Sequence, residues 1–92
     1  MRLDLFLKKT CILKSRAAAK DVCDAGAATV NGRIAKGSQE LRAGDVVRLQ
    51  LLHRDVELRV LEVPGGNVAK RDIPRYVAML RDEPRERFER FS

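Results

Sequence analysis

The apolar residues of this chain change period once, and the change falls at Gly26. Before it, Leu3, Phe6, Leu7 and Cys11 recur at i, i+3, i+4 and i+8, one stripe of a helix. Ser15 is a good N-cap for a second helix whose apolar face is Ala18, Ala19, Val22, Cys23 and Ala25, and Gly26 is its natural stop. After it, the pattern alternates. Thr29-Val30 and Arg33-Ile34 flank Asn31-Gly32, a strong hairpin signal because both turn residues tolerate positive φ. Lys36-Gly37-Ser38 reads as loop and Arg42-Ala43-Gly44-Asp45 as a turn. Val47, Leu49 and Leu51 form one half-buried strand, and Val56, Leu58 and Val60 form another after a turn at His53-Arg54-Asp55. Pro64-Gly65-Gly66-Asn67 ends the sheet. Asp72 caps a short last helix with Pro74 in its first turn, packed down by Tyr76, Val77 and Leu80. The Arg/Glu-rich segment from Arg85, with Phe88 and Phe91, reads as frayed or weakly helical. The expected class is α+β: two packed N-terminal helices on a small, mostly antiparallel sheet, with a short C-terminal helix. Residues 1–63 form one domain with its sheet, and residues 64–92 form the C-terminal helix and charged tail.

A chain of 92 residues has room for one domain, and 45% hydrophobic content is enough to fold it. So small a core leaves little room for an internal catalytic cavity. Nineteen basic side chains against thirteen acidic give a formal charge of +6, which points to a polyanion, nucleic acid or a membrane surface. The excess is local. Residues 1–20 carry Arg2, Lys8, Lys9, Lys14, Arg16 and Lys20 against Asp4 alone, whereas the rest of the chain is nearly balanced. No apolar run approaches the ~20 residues needed to cross a bilayer. Asp4, Lys8 and Lys9 interrupt any signal-peptide core, so a cytoplasmic location is expected. Cys11, Cys23 and His53 lack metal-ligand spacing. The cysteines read as small buried thiols, His53 as a solvated turn residue, and no metal or cofactor is expected.

Arg2-Leu3-Asp4-x-Phe6-Leu7, Lys14-Ser15-Arg16-x-x-Ala19, Gly26, Val30-Asn31-Gly32, Lys36-x-Ser38 and Gly44-Asp45 occur in that order over about the first fifty residues. This run resembles the S-four (S4) RNA-binding domain. The resemblance implies a helix pair, a small sheet and RNA against the helical face. The whole chain is similar to the RqcP/YabO family of bacterial ribosome-associated quality-control factors. Such a resemblance implies binding to rRNA of the large ribosomal subunit and to peptidyl-tRNA on subunits with obstructed nascent chains. There the factor would support C-terminal tailing of the stalled peptide with a tRNA-recruiting quality-control protein. A related reading is a heat-shock-protein-fifteen-like factor recycling stalled large subunits, although the longer basic extension usual in that protein is missing. A generic rRNA-binding assembly protein is a third. Leu5, Cys11 and Ser15 stand where relatives often carry basic residues, a departure that implies weaker RNA affinity or an altered footprint.

The expected RNA-binding residues are Arg2, Asp4, Lys8, Lys9, Lys14, Ser15, Arg16, Lys20 and Lys36. A helix N-terminus presents free N–H groups and about half a positive charge, so Lys14, Ser15 and Arg16 make a phosphate site there. Lys20 extends it by one turn, and Arg2 and Lys8 reach the same anion if the helices lie side by side. Asp4 either orients Arg2 or Arg16, accepts a hydrogen bond from RNA, or is a plain i, i+4 partner for Lys8. Aromatic content is 4%, so recognition by shape and phosphates is expected rather than base stacking. Charge reversal at Arg16 is expected to abolish ribosome co-sedimentation with thermal stability near wild type.

Two other classes fit less well. An enzyme needs a nucleophile with a base, paired carboxylates or a cofactor loop, and residues 51–92 offer none. A membrane-surface module needs apolar faces left free beside its lysines, but both helical stripes are short and needed for the core. Neither catalytic residues nor a small-molecule substrate is therefore expected.

Overall fold

The computed structural model describes residues 1–84. Helix α1 (Leu3–Lys9) and helix α2 (Arg16–Asp24) lead into strands β1 (Ala28–Val30), β2 (Arg33–Ile34), β3 (Val46–Gln50) and β4 (Arg54–Val60). A four-residue helix α3 (Ile73–Tyr76), preceded by a 3-10 turn, runs directly into strand β5 (Val77–Pro84). The strands form one antiparallel sheet in the order β2-β1-β3-β4-β5.

Period-2 alternation puts Val47, Leu49, Val56, Leu58 and Val60 on one face, all fully buried. Leu3, Phe6 and Leu7 of α1 and Ala19 and Cys23 of α2 join them in a single core. Small side chains on the buried stripe of α2 let it approach closely. Gly26, at φ +75°, ends α2: its N–H donates to Cys23 O and the Ala27 N–H to Val22 O, a Schellman arrangement.

The Asn31-Gly32 hairpin forms as expected, with both residues at positive φ and Val30 opposite Arg33. Asn31 does more than turn the chain. Its Oδ1 accepts from Val46 N–H at 2.9 Å and its Nδ2 donates to Asp45 Oδ1 at 3.0 Å, while Asp45 Oδ2 caps the Arg42 N–H. One side chain thereby locks the hairpin to the turn that starts β3. Asn31→Ala removes both bonds and leaves alanine at a left-handed φ, so it is expected to cost about 1–2 kcal/mol in denaturant unfolding. Ala at Gln50, an exposed position, should change little.

Three expectations are corrected. Cys11 lies outside the helical stripe: α1 ends at Lys9, Thr10 Oγ1 donates back to Phe6 O at 2.7 Å, and Cys11 sits at φ 59° with an exposed thiol. Only Cys23 is a buried thiol, and burial, followed by the nearby Asp4 and Asp24 charges, pushes its pKa up. The C-terminal helix stops at Tyr76 because the next residues pair with β4, Val77 opposite Val60 and Met79 opposite Leu58. Leu80 is thus exposed on an edge strand instead of holding a helix down. The third is the turn at residues 53–55, of which Arg54 and Asp55 already belong to β4. The expectations for the segment from Arg85 onward lie outside the described residues.

Candidate nucleic-acid interface

The start of α1 has no side-chain cap, so its amides need other partners. The loop after β2 supplies them. Gln39 O accepts from the Leu3 N–H at 2.8 Å and Gly37 O from the Asp4 N–H at 3.1 Å. This pins Lys36-Gly37-Ser38 beside the first turn of α1. The Gly37 backbone passes so close that a Cβ there would stand 3.1 Å from Asp4 Oδ2.

Asp4 is consequently almost fully buried. A buried carboxylate is costly unless hydrogen-bonded and paired. Oδ1 accepts from the Leu5 N–H at 2.7 Å. Oδ2 accepts from Arg2 Nη2 at 3.1 Å and lies 3.5 Å from Arg16 Nε. Both arginines remain about half exposed. One buried anion therefore gathers two guanidinium groups that would otherwise repel, and leaves part of each fork free for an external anion.

Arg16 is the first residue of α2. Ser15 caps that helix, its Oγ accepting from the Ala18 N–H at 3.0 Å. The Arg16 and Ala17 amides have no intramolecular acceptor among the described residues, so they point their positive end to solvent at the same place.

Seven of the nine predicted residues fall into two groups. Arg2, Asp4 and Arg16 meet directly, and Ser15 sets the helix end beside them. Lys8, Lys9 and Lys14 instead line a separate groove at the other end of α1, so Arg2 and Lys8 do not converge on one anion. Lys20 is exposed on α2, and Lys36 is exposed one residue before Gly37. Asp4 faces Arg2 and Arg16, with no ion pair to Lys8 among the described residues, which sets aside its reading as a plain partner for Lys8. Sequence reasoning did not place Gly37 against Asp4, nor Arg54, Asn67 and Lys70 beside the lysines of α1. Gly37 could have been found only by knowing that its loop returns to the N-terminus.

The S4 domain family matches residues 1–47. The chain belongs to the S4 domain family. This S4 protein is 39% identical over 79 residues to a Helicobacter pylori protein named RQC P-site tRNA stabilizing factor, covering 85% of this chain and 94% of that one. A Bacillus subtilis protein of the same name is 32% identical over 83 residues, covering 90% and 95%. Among solved structures, that of the hypothetical protein HP1423 superposes with a TM-score of 0.76 at 38% identity, covering 90% of this chain and all of that one. Trimeric heat shock protein 15 of Vibrio cholerae superposes with a TM-score of 0.78 at 20% identity over 86% of this chain and 80% of that one, a likeness of fold.

The Asp4 pairing makes a sharp prediction for this S4 protein. Asp4→Asn raises the net charge above +6, and a purely generic attraction would then tighten RNA binding. The asparagine keeps an acceptor for Leu5 N–H but no longer draws the two arginines together. Affinity for structured RNA is expected to fall roughly tenfold, about 1.4 kcal/mol, as measured by filter binding or fluorescence anisotropy.

Proposed function

We propose that this protein is a non-enzymatic RNA-binding factor of bacterial ribosome-associated quality control. In this reading it works in the cytoplasm on large ribosomal subunits that carry an obstructed nascent chain. It contacts rRNA and peptidyl-tRNA and supports C-terminal tailing of the stalled peptide beside a tRNA-recruiting quality-control protein. The observation that carries the RNA-binding part is the Asp4-centred pair of half-exposed arginines at the free amides of α2. Two guanidinium forks and adjacent N–H groups suit the phosphates of a folded RNA, whose grooves offer few sequence-specific edges. The relatives that cover most of the chain carry P-site tRNA stabilization in their name, which supports the placement on stalled subunits.

Arg2, Lys8, Lys9, Lys14, Arg16, Lys20 and Lys36 supply the RNA-binding cations of the protein, with Asp4 and Ser15 positioning the arginine pair at the start of α2. The deciding experiment is co-sedimentation with large subunits carrying a stalled peptidyl-tRNA and, in parallel, with empty subunits. Preferential pelleting with the former is expected. Equal pelleting with both would favour a generic rRNA-binding assembly protein. If about five phosphates are neutralised, log affinity should fall against log salt with a slope of roughly −3 to −5. A flat response in a salt titration of RNA binding would exclude phosphate recognition by this face.

A further inference from the structure

The cations grouped at the far end of α1 are organised differently from the arginine pair. Lys8, Lys9, Lys14, Arg54 and Lys70 line one groove of about 680 Å³, built from the end of α1, the α1–α2 loop, the first residue of β4 and the segment that runs into the 3-10 turn, whose first residue is Lys70. No carboxylate lines it. Lys9 Nζ donates to Asn67 Oδ1 at 3.3 Å, which ties the end of α1 to the 65–67 loop and closes one side. Arg54 is held from outside the groove by Asp82 of β5, at 3.6 Å. Lys8, Lys14 and Lys70 have no ion-pair partner among the described residues.

Elsewhere Arg2 and Arg16 pair with Asp4, Arg75 with Glu62 and Arg81 with Glu83, while the exposed Arg33, Arg42, Arg48, Arg59 and Arg71 have no ion pair among the described residues and share no groove with the lysines of α1. Five cations converging from four segments, of which only Arg54 has a carboxylate partner and that one outside the groove, raise the local potential and concentrate counter-ions there. Ile12, Leu13 and Val68, all partly buried, form an apolar floor between them. Repeating point charges above an apolar floor fit an RNA backbone, whose phosphates alternate with ribose faces.

We propose that this groove is a second RNA-backbone site, independent of the Asp4-centred pair, with Arg54, Asn67 and Lys70 as its distal wall. Those three residues lie beyond the segment that matches the S4 family. The inference rests on the RNA-binding reading above and adds a second strand or helix to it. The ligand class is a phosphodiester backbone, bound through counter-ion release and without base readout.

Cys11 provides the test, because its exposed thiol lines the groove while Cys23 is buried. Maleimide labelling of Cys11 is followed in the full-length protein with and without a saturating short RNA duplex, and binding stoichiometry is measured by calorimetric titration. In wild type, two duplexes per chain are expected and labelling should slow at least about tenfold. Arg54→Gln/Lys70→Glu, or Lys70→Glu alone should the double variant fold poorly, should bind one duplex and label at the free rate. Arg16→Glu should also bind one duplex but keep Cys11 protected. A single duplex per wild-type chain overturns the proposal, and so does RNA binding that leaves Cys11 unprotected; neither touches the Asp4-centred interface. Failure of wild type to bind any RNA would sink the RNA-binding reading itself. Protection of Cys11 by a polyglutamate peptide but not by RNA would assign the groove to an acidic protein segment and overturn the proposal as well.

Discussion

Arg16→Glu is expected to raise the dissociation constant for large ribosomal subunits at least about 100-fold, so that the protein no longer co-sediments with them. A charge-assisted hydrogen bond contributes about 1.5–3 kcal/mol, and reversal replaces attraction to the same phosphate with repulsion. A factor of 100 corresponds to about 2.8 kcal/mol. Considered as sequence alone, Arg16 is an exposed helix-start residue whose reversal leaves stability untouched. The structure changes that expectation. Arg16 Nε lies 3.5 Å from the buried Asp4 carboxylate, so a glutamate brings a second carboxylate towards an anion that is already desolvated. Arg2 remains bonded to Asp4 and part of the pairing survives, so the stability loss should be about 1 kcal/mol, not a collapse. Arg16→Gln separates the two effects: it removes the charge without adding a carboxylate, and is expected to weaken binding about tenfold with little change in the unfolding midpoint. If Arg16→Glu still pellets with large subunits while folded, the Asp4-centred face is not the interface.

Phe6→Ala is expected to produce the largest loss of stability in the helical layer. Phe6 is fully buried and is the largest of the completely enclosed side chains, packed with Leu3, Leu7 and the inward residues of β3 and β4. Truncation of such a phenylalanine costs about 3–5 kcal/mol, the lost transfer energy plus the cavity left behind. A domain of this size has only about 5–15 kcal/mol in total. The thermal midpoint should therefore fall by roughly 15–30 °C, read by circular dichroism. Ile34→Ser, at a position 73% exposed, should stay within about 0.5 kcal/mol of wild type. RNA affinity should follow the folded fraction, since α1 carries Asp4 and the lysines and is held down by Phe6. A loss below about 1 kcal/mol would mean that α1 is not docked on the sheet.

The contrast between Asn31 and Asp4 separates what local chemistry encodes from what packing creates. Asn31-Gly32, Gly26 and Ser15 do locally what their chemistry allows: positive φ, a Schellman end and an N-cap. Such effects span four or five residues and need no knowledge of the rest of the chain. The cationic N-terminus was legible for the same reason, as was the alternation that built β3 and β4. The spacing of Tyr76, Val77 and Leu80 suits a helix locally, but pairing with β4 makes residues 77–84 a strand.

The sequence by itself determined the α+β class, the helix pair, the hairpin and the side of the chain that is basic, because those depend on short-range periodicity, turn conformations and charge. Tertiary structure alone decided that Asp4 draws Arg2 and Arg16 together, that Gly37 lies against it, and that Lys8, Lys9 and Lys14 meet Arg54 and Lys70 in a different place. The physical reason is range. A carboxylate chooses its cations by burial and distance after the chain has folded, and residues 2, 4, 16 and 37, or 8, 54 and 70, become neighbours only when the helices and the sheet close on one core.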